Sequence, residues 1–141
     1  MARVRPATRD DIPRLTRLIE RSVRELQRRE YTERQIEGAL ETLFGADRWT
    51  QREDDALDPA VDAAKIRAFF VHPGWARRGL GTLLLERCEQ AARGAAFRRF
   101  ELGATLTGVH LYRSRGYREV DRIELRLANG ELVPVVRMVK E

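Results

Sequence analysis

The sequence predicts an α/β domain, because segments with strand periodicity and helix periodicity follow one another along the chain. Residues 66–71 form a short apolar run rich in aromatic and branched side chains, which is typical of a buried strand. Residues 83–92 then carry apolar side chains at helical spacing. Near the end of the chain, Asn129 and Gly130 stand between two further apolar segments, which is the pattern of a β-hairpin.

Length and composition are those of a single globular domain. With 141 residues, of which 43% are hydrophobic, residues 1–141 are predicted to form one domain. No apolar run approaches the ~20 residues that would span a bilayer, and no signal peptide is expected from the first residues. The single cysteine, Cys88, rules out an internal disulfide and fits a reducing compartment. We therefore expect a cytoplasmic protein without membrane contact.

The charge balance is basic, with 27 Lys and Arg against 22 Asp and Glu and a formal net charge of +5. Such a balance suits nucleic acid or an acidic ligand. No block of basic residues is interleaved with aromatic ones, however, so general nucleic-acid binding is disfavoured. A lack of salt-sensitive DNA or RNA binding would remove that hypothesis.

The first part of the chain predicts a short strand and two helices. Val4 stands between two arginines, which is consistent with a first strand. Asp10 is the predicted N-cap of the first helix, with a proline in its first turn. Thr32 and Gln35 form the pattern of a capping box for a second helix that ends at Gly45. The first helix carries one apolar stripe, formed by Ile12, Leu15, Leu18, Ile19, Val23 and Leu26.

A turn with two arginines and a Gly-x-Gly spacing joins the central predicted strand to the next helix. It contains Arg77, Arg78, Gly79 and Gly81. Glycine lets the backbone approach a ligand closely, and a helix N-terminus offers unpaired N–H groups that suit phosphate. The turn is therefore a candidate pyrophosphate cradle. An ordinary strand-to-helix turn with exposed arginines is the alternative.

The helix after this turn is predicted over residues 79–93, with Gly94 at its end. Leu83, Leu84 and Cys88 are expected to be its buried residues. Cys88 is interpreted as a core residue and not as a nucleophile. No cluster of cysteine and histidine has the spacing of a metal site, so no metal is expected.

The last third of the chain predicts three strands and a short helix. A strand is expected over residues 97–104, followed by a short helix capped by Thr107. Residues 117–127 and 133–139 should form the two strands of the hairpin. Pro134 predicts that the return strand has an edge position or a bulge.

Two motifs in this order resemble those of the GNAT N-acetyltransferases. Residues 70–73, 77–81 and 83–85 read Phe-Val-His-Pro, Arg-Arg-Gly-Leu-Gly and Leu-Leu-Leu, and they are similar to the acetyl-CoA motif of that family. Residues 111–117 resemble its Leu-Tyr-x-x-x-Gly-Phe/Tyr element. Residues 5–11 are similar to its opening strand and first helix. Together the motifs are much more specific than the glycine spacing alone.

The resemblance implies a mixed, V-split β-sheet with helices on both faces, in which coenzyme A enters where two central strands diverge. It implies acetyl-CoA as co-substrate and an amine as acceptor, either a small molecule, a peptide N-terminus or a protein lysine. A second copy of the chain is an open possibility as a partner. The expected cofactor-binding residues are Phe70, Val71, Arg77, Arg78, Gly79, Leu80, Gly81 and Thr82.

Tyr112 matches the general acid of the family. A phenol with a pKa near ~10 is well suited to protonate a departing thiolate. The N–H of Val71 would hold the thioester carbonyl. Without the motif, Tyr112 would be interpreted as a helix tyrosine half-buried against the sheet, and the motif is what favours the acid role. Tyr117 is expected in the core. The general base is not identified, because Glu101, His72 and His110 each have a structural interpretation.

Three departures from the family pattern stand out. Ala76 replaces an Arg or Gln of the pyrophosphate loop, and Thr105 replaces an Asn that contacts the cofactor. Family members also carry two antiparallel strands before the coenzyme-A strand, which need roughly 25 to 30 residues. Too few residues lie between Arg48 and Lys65 for such a hairpin. Either the hairpin is lost or the sequence omits a segment, and the intact flanking elements favour omission, with a chain break expected near Trp49.

These observations predict an acetyl-CoA-dependent N-acetyltransferase. The alternative is a non-catalytic acyl-CoA-binding or dimerisation module of the same fold, against which an intact Tyr112 argues. Turnover of acetyl-CoA across a panel of amines would separate the two functions.

Overall fold

The computed structural model describes residues 3–42, 57–67 and 69–141. Within them, the chain forms a four-stranded sheet and four helices. The helices are α1 (Ile12–Leu26), α2 (Glu33–Thr42), α3 (Leu80–Gly94) and α4 (Val109–Ser114). The strands are β1 (Ala64–Ile66), β2 (Phe100–Ala104), β3 (Arg118–Arg126) and β4 (Leu132–Lys140).

The sheet is mixed, with the strand order β1-β2-β4-β3. β1 runs parallel to β2, while β2 and β3 both run antiparallel to β4. β1 and β2 pair over only three residues, from Ala64–Phe100 to Ile66–Leu102. β2 continues to Ala104 alongside β4. The mixed α/β class predicted from the sequence is therefore confirmed, and β1 separates from β2 just before the predicted cradle.

Helices cover both faces of the sheet. Alternate side chains of β4 point to opposite faces and therefore belong to two different buried clusters. Val136 and Met138 belong to a buried cluster with Leu85 of α3 and Tyr112 of α4. Val133, on the opposite face, belongs to a second cluster that includes buried residues of α1 and α2. The predicted site thus lies on the α3/α4 face.

The first strand predicted at Val4 is absent, since residues 3–8 have no strand pairing. Local contacts order this segment instead: Arg5 makes two 2.8 Å bonds to the carboxylate of Asp11, which also accepts the N–H of Thr8 at 2.9 Å. A single 3-10 turn at Arg9–Asp11 precedes α1, so the boundary residue is Asp11 and not Asp10. The apolar stripe of α1 is correct, with Ile19 and Val23 as its buried members.

The capping box of α2 is confirmed. The Gln35 N–H donates to Oγ1 of Thr32 at 3.1 Å, and the Thr32 N–H donates to Oε1 of Gln35 at 2.9 Å. The Gln35 amide also donates to the carbonyl of Leu132 at 2.8 Å, which ties α2 to the start of β4. The predicted stop at Gly45 and the chain break near Trp49 lie outside the described residues.

The central strand is shorter than predicted. Strand pairing ends at Ile66, and Phe69, Phe70 and Val71 have no ladder, because β2 beyond Leu102 pairs only with β4. The loss of strand pairing leaves the N–H of Val71 available to a ligand. Ala68 lies outside the described residues.

Pro134 does not put its strand at an edge, because β4 lies between β2 and β3. The β2 ladder covers only Val136–Lys140, so β3 is the one strand paired with β4 at Pro134. The proline is therefore tolerated where β4 has a local free side. The irregularity of the hairpin lies in β3 instead, between Glu119 and Asp121.

Helix positions differ in detail from the prediction. In α3, Leu85 and Glu89 are buried, whereas Leu83, Leu84 and Cys88 are only partly buried. The N-cap of α4 is Gly108, and the predicted cap, Thr107, lies one residue earlier. The apolar repeat of α3 is almost continuous, so its sequence does not show which side faces the sheet.

Candidate active site

The segment between β1 and α3 turns sharply before the helix. Pro73–Trp75 form one 3-10 turn, and the Gly74 N–H donates to Nδ1 of His72 at 3.0 Å. His72 therefore stabilises the turn, which is the structural interpretation of this residue. Arg77 and Gly79 then adopt left-handed backbone conformations, with φ of 61° and 81°. For Arg77 this conformation is strained, and strain of this kind is often found at ligand-binding loops.

The first turn of α3 presents free backbone donors. The first bond of this turn runs from the N–H of Leu83 to the carbonyl of Gly79 at 3.0 Å. In the described part of the chain, the N–H groups of Leu80, Gly81 and Thr82 have no partner. α3 is 15 residues long, so these donors lie at the positive end of a full-length helix dipole. Such a turn suits phosphate oxygens.

Arginine side chains flank this turn. Arg77 and Arg78 are exposed, and the Arg78 guanidinium lies 5.1 Å from the ring centre of Trp75. The cation–π contact holds the Arg78 guanidinium against Trp75, and Arg78 lies two positions before the first residue of α3. A Cβ added at Gly79 would meet no atom within 4 Å, so the space above the turn is open. The residues present therefore fit a pyrophosphate group.

Tyr112 lies on α4, next to this turn. Its side chain is buried, with 7% of the residue exposed, and its ring packs edge-on against Phe69 and Tyr117 at centroid distances of 5.9 and 6.0 Å. A Cβ added at Gly81 would lie 3.1 Å from Leu111 and 3.8 Å from Phe69. The helix that carries Tyr112 thus packs directly against the first turn of α3.

Burial raises the pKa of Tyr112 from 10.0 to about 12. The phenol is therefore protonated throughout the physiological range and has a proton to donate. It is also a weaker acid than a free phenol, which makes the match to a thiol leaving group poorer than the sequence predicts. Among the described residues, no partner is hydrogen-bonded to its hydroxyl, and no fully buried side-chain oxygen is unpaired. The hydroxyl oxygen of Tyr112 therefore retains some accessible surface.

Tyr31, from the α1–α2 connection, holds the loop before α4. Its hydroxyl accepts the N–H of Leu106 at 2.8 Å and donates to the carbonyl of Pro134 at 3.0 Å. Gly108, two residues further on, is in close contact with the catalytic candidate, since a Cβ added there would lie 2.9 Å from Cε2 of Tyr112. Tyr31 and Gly108 together fix where α4 begins.

A buried carboxylate lies behind the tyrosines. Glu89 of α3 is 4% exposed and accepts the Tyr117 hydroxyl at 3.0 Å and the Lys140 ammonium at 2.9 Å. Arg93 approaches the same carboxylate at 3.4 Å. Burial, followed by the bond to Glu89, raises the pKa of the Tyr117 hydroxyl. Tyr117 is thus a core residue, as predicted, and Glu89 is a buried ion-pair partner that the sequence did not indicate.

No general base is evident near Tyr112 among residues 57–67 and 69–141. Glu101 points away from it, because alternate residues of β2 face α3 and α4, and it pairs with Arg137 at 3.2 Å. The Nε2 atom of His72 lies 3.3 Å from the guanidinium of Arg21. His110 is exposed on α4. Burial raises the pKa of the Cys88 thiol, which argues against a nucleophilic thiolate.

Neither a metal site nor a membrane-spanning helix is found in the described ranges. No group of three or more histidine, cysteine or acidic residues could hold a metal ion there. None of the described helices has the length and apolar composition that crossing a bilayer requires.

Comparison with known proteins identifies the family. Residues 28–141 match the acetyltransferase (GNAT) domain model. The chain belongs to the GNAT acetyltransferase family. This assignment confirms the sequence-based resemblance and makes the protein an acyltransferase. No curated protein matches the sequence significantly.

Solved GNAT structures share the fold at low sequence identity. A GCN5-related N-acetyltransferase from Rhodopseudomonas palustris has a TM-score of 0.82 at 21% identity, over 97% of this chain and 93% of its own. PaiA N-acetyltransferase from Thermoplasma acidophilum, in complex with coenzyme A, has a TM-score of 0.65 at 16% identity. The match covers 97% of this chain and 96% of that one. YncA from Salmonella typhimurium, with its cofactor acetyl-CoA, has a TM-score of 0.61 at 16% identity. The match covers 97% of this chain and 91% of that one. At these identities the comparison establishes the fold.

The GNAT fold brings most of the predicted site residues together. Val71 and Gly81 lie side by side, since a Cβ at Gly81 would be 4.0 Å from the Val71 side chain. The Phe70 side chain is the exception, because it packs with the α1/α2 cluster on the other face. Sequence analysis missed Phe69, the neighbour of Phe70, which contacts Tyr112. The alternation of side chains in an extended segment was the signal that could have identified it.

Proposed function

We propose that residues 1–141 form one domain that transfers the acetyl group of acetyl-CoA to an amine, with Tyr112 as general acid. The cofactor-binding residues would be Phe70, Val71, Arg77, Arg78, Gly79, Leu80, Gly81 and Thr82. One observation carries the proposal: Phe69 contacts both Tyr112 and the position of Gly81. The free amide donors of α3 and the candidate acid therefore lie against the same side chain, that of Phe69.

The first turn of α3 would bind the pyrophosphate. Three free N–H groups from Leu80 to Thr82 and the two nearby guanidinium groups supply donors and positive charge. Ala76 cannot add a side-chain donor. Backbone donors make up for this loss, because they are fixed by the helix and cost little ordering when a phosphate binds.

The segment 69–71, which lies beyond the end of the β1 ladder, would hold the thioester. Acetyl-CoA supplies an acyl carbon that an amine nitrogen can attack. The Val71 N–H has no strand partner, so it is free to donate to the carbonyl oxygen as negative charge develops there. Phe70 contributes its backbone to this segment, while its side chain anchors the segment to the opposite core.

Tyr112 would then protonate the departing sulfur. The new bond joins the amine nitrogen to the acyl carbon, the carbon–sulfur bond breaks, and the phenol proton goes to the thiolate. The attacking nitrogen loses its second proton to water, and the phenolate of Tyr112 regains a proton from water. The ammonium proton that the acceptor must lose first goes to water, since Glu101 is paired with Arg137 and His72 is bonded to Gly74 and Arg21. An acceptor with a low amine pKa would therefore react fastest.

The test combines cofactor binding with turnover. Acetyl-CoA is titrated into the full chain by calorimetry, and thiol release is then followed across a panel of small amines, peptide N-termini and lysine peptides. Binding and release with at least one class support the proposal. Binding without release from any acceptor would favour a non-catalytic acyl-CoA-binding module, and no binding would overturn the cradle as well.

Two variants of α3 form a matched pair for this test. Gly81→Asp puts a carboxylate among the free amide donors and should abolish binding through charge repulsion. Gly94→Asp makes the same change at the exposed far end of the helix, where a Cβ would meet nothing within 4 Å, and should bind normally. Equal affinities in the two variants would contradict the assignment of the cradle.

A further inference from the structure

β3 is an exposed edge strand of nine residues, Arg118–Arg126. Among the residues that the structure describes, it pairs only with β4, on one side, and every residue of β3 except Leu125 is exposed. The exposed residues include two large apolar ones, Val120 at 41% and Ile123 at 43%. An edge of this length with unpaired backbone groups is a template for another strand.

We propose that β3 pairs antiparallel with β3 of a second copy of this chain, joining the two sheets across a two-fold axis at Ile123. The proposal rests on the charge pattern of the strand. In a two-fold antiparallel pair one residue lies opposite itself, and its neighbours lie opposite each other in reverse order. The identity of the central residue therefore decides which charges meet.

Five central positions keep at least five residues of each β3 paired; they are Val120, Asp121, Arg122, Ile123 and Glu124. A centre at Asp121, Arg122 or Glu124 places that charge opposite itself.

A centre at Val120 places Glu119 opposite Asp121. A centre at Ile123 is different, because it puts no like charges opposite each other and pairs Arg122 with Glu124 twice. Cross-strand pairs of opposite charge stabilise a sheet, and like charges destabilise it. The charge pattern therefore selects one register.

The contacts within one copy leave the side chains of Arg122 and Glu124 available to pair with a second copy. Among the described residues, Glu124 has no ion-pair partner, and Arg122 forms its ion pair with the exposed Glu119, at 3.1 Å. The irregularity between Glu119 and Asp121 lies at the outer end of the proposed pairing, so it limits the ladder without interrupting its centre. Ile123 of one copy would then cover Ile123 of the other.

Charge-reversal variants test the register by sedimentation of the full chain over a wide concentration range. The wild type should form a dimer. In the proposed register, residue 122 of each copy lies opposite residue 124 of the other. Arg122→Glu and Glu124→Arg therefore each create two pairs of like charges, and each should raise the dissociation constant of the dimer about tenfold or more. Mixing the two variants restores both attractive pairs in the heterodimer. The double variant Arg122→Glu/Glu124→Arg restores them in the homodimer.

Arg28→Glu is the control, because it makes the same charge change at an exposed residue outside β3. It should dimerise like the wild type, and circular dichroism should show that all variants are folded. A wild type that sediments as a monomer at every concentration would overturn the proposal. So would single variants that dimerise as tightly as the wild type, or a mixture that does not associate. None of these results depends on acetyl transfer.

Discussion

The phenol ring of Tyr112 meets the ring of Phe69 edge-on, with centroids 5.9 Å apart and planes at 70°. This contact joins two parts of the site that are 43 positions apart in the chain, counted from residue 69 to residue 112. Phe69 belongs to the segment 69–71 that follows β1, and Tyr112 belongs to α4. The position of the candidate acid relative to the thioester segment is therefore set by aromatic packing, which resists reorientation better than a single surface bond.

Arg77 should be strained in its left-handed conformation. Arg77→Gly and Arg77→Ala both remove the guanidinium, but only glycine relieves the strain at φ 61°. The glycine variant should therefore be about 1 kcal/mol more stable than the alanine variant, while both lose acetyl-CoA affinity equally. Thermal unfolding and calorimetry measure the two effects. Equal stabilities would show that position 77 is not held in this conformation.

Tyr31 should act on catalysis through the loop before α4. Tyr31→Phe leaves the N–H of Leu106 without its 2.8 Å partner, which should cost about 1–3 kcal/mol of stability. The loop and Tyr112 then shift, so kcat should fall while acetyl-CoA affinity is unchanged. Tyr117→Phe is the matched control, because it removes a buried hydroxyl bond behind the site. A purely structural role for Tyr31 would give the two variants the same kcat.

Glu89 should stabilise the fold as a charged group. Glu89→Gln keeps the shape but removes the charge that holds Lys140 at 2.9 Å, and it should cost about 2–3 kcal/mol. The cost is kept moderate because Lys140 retains 24% side-chain exposure and can regain water. Glu86→Gln, at an exposed position of the same helix, should change stability by less than about 0.5 kcal/mol. Denaturant unfolding compares the two variants.

Alkaline pH should destabilise the protein through its buried phenols, of which Tyr112 is one. The pKa of Tyr112 is about 12 in the folded state against 10.0 in a free phenol. The folded state therefore binds this proton more tightly, so its contribution is complete below pH 10 and is lost as pH rises towards 12. Tyr112→Phe should flatten the stability curve in this range. An identical pH dependence in both proteins would contradict the burial of the phenol.

The elements predicted correctly are those whose signals are local. The reciprocal bonds of Thr32 and Gln35 lie within one turn, and the hairpin at Asn129 needs only adjacent residues. The unpredicted features depend on distant partners. Tyr31 meets Leu106 across 75 positions, and Glu89 meets Lys140 across 51.

The candidate site shows the same division. The turn from Arg77 to Thr82 could be located from its glycines and arginines, because its ligand donors belong to the backbone of one segment. That the side chain of Glu101 faces away from the site could not be predicted from the sequence of its strand. Which face of β2 points towards Tyr112 is decided by the packing of α3 and α4, and no periodicity within five residues specifies this.

The role of Tyr112 is tested most directly by the steady-state kinetics of Tyr112→Phe with acetyl-CoA and the best amine of the panel. The variant keeps the ring packed against Phe69 and loses the hydroxyl that carries the proton. The account predicts that kcat falls by ~10²–10⁴ while the dissociation constant of acetyl-CoA is nearly unchanged, because the hydroxyl acts mainly in the transition state. A kcat within about twofold of the wild type would contradict it, since another group or water would then protonate the thiolate.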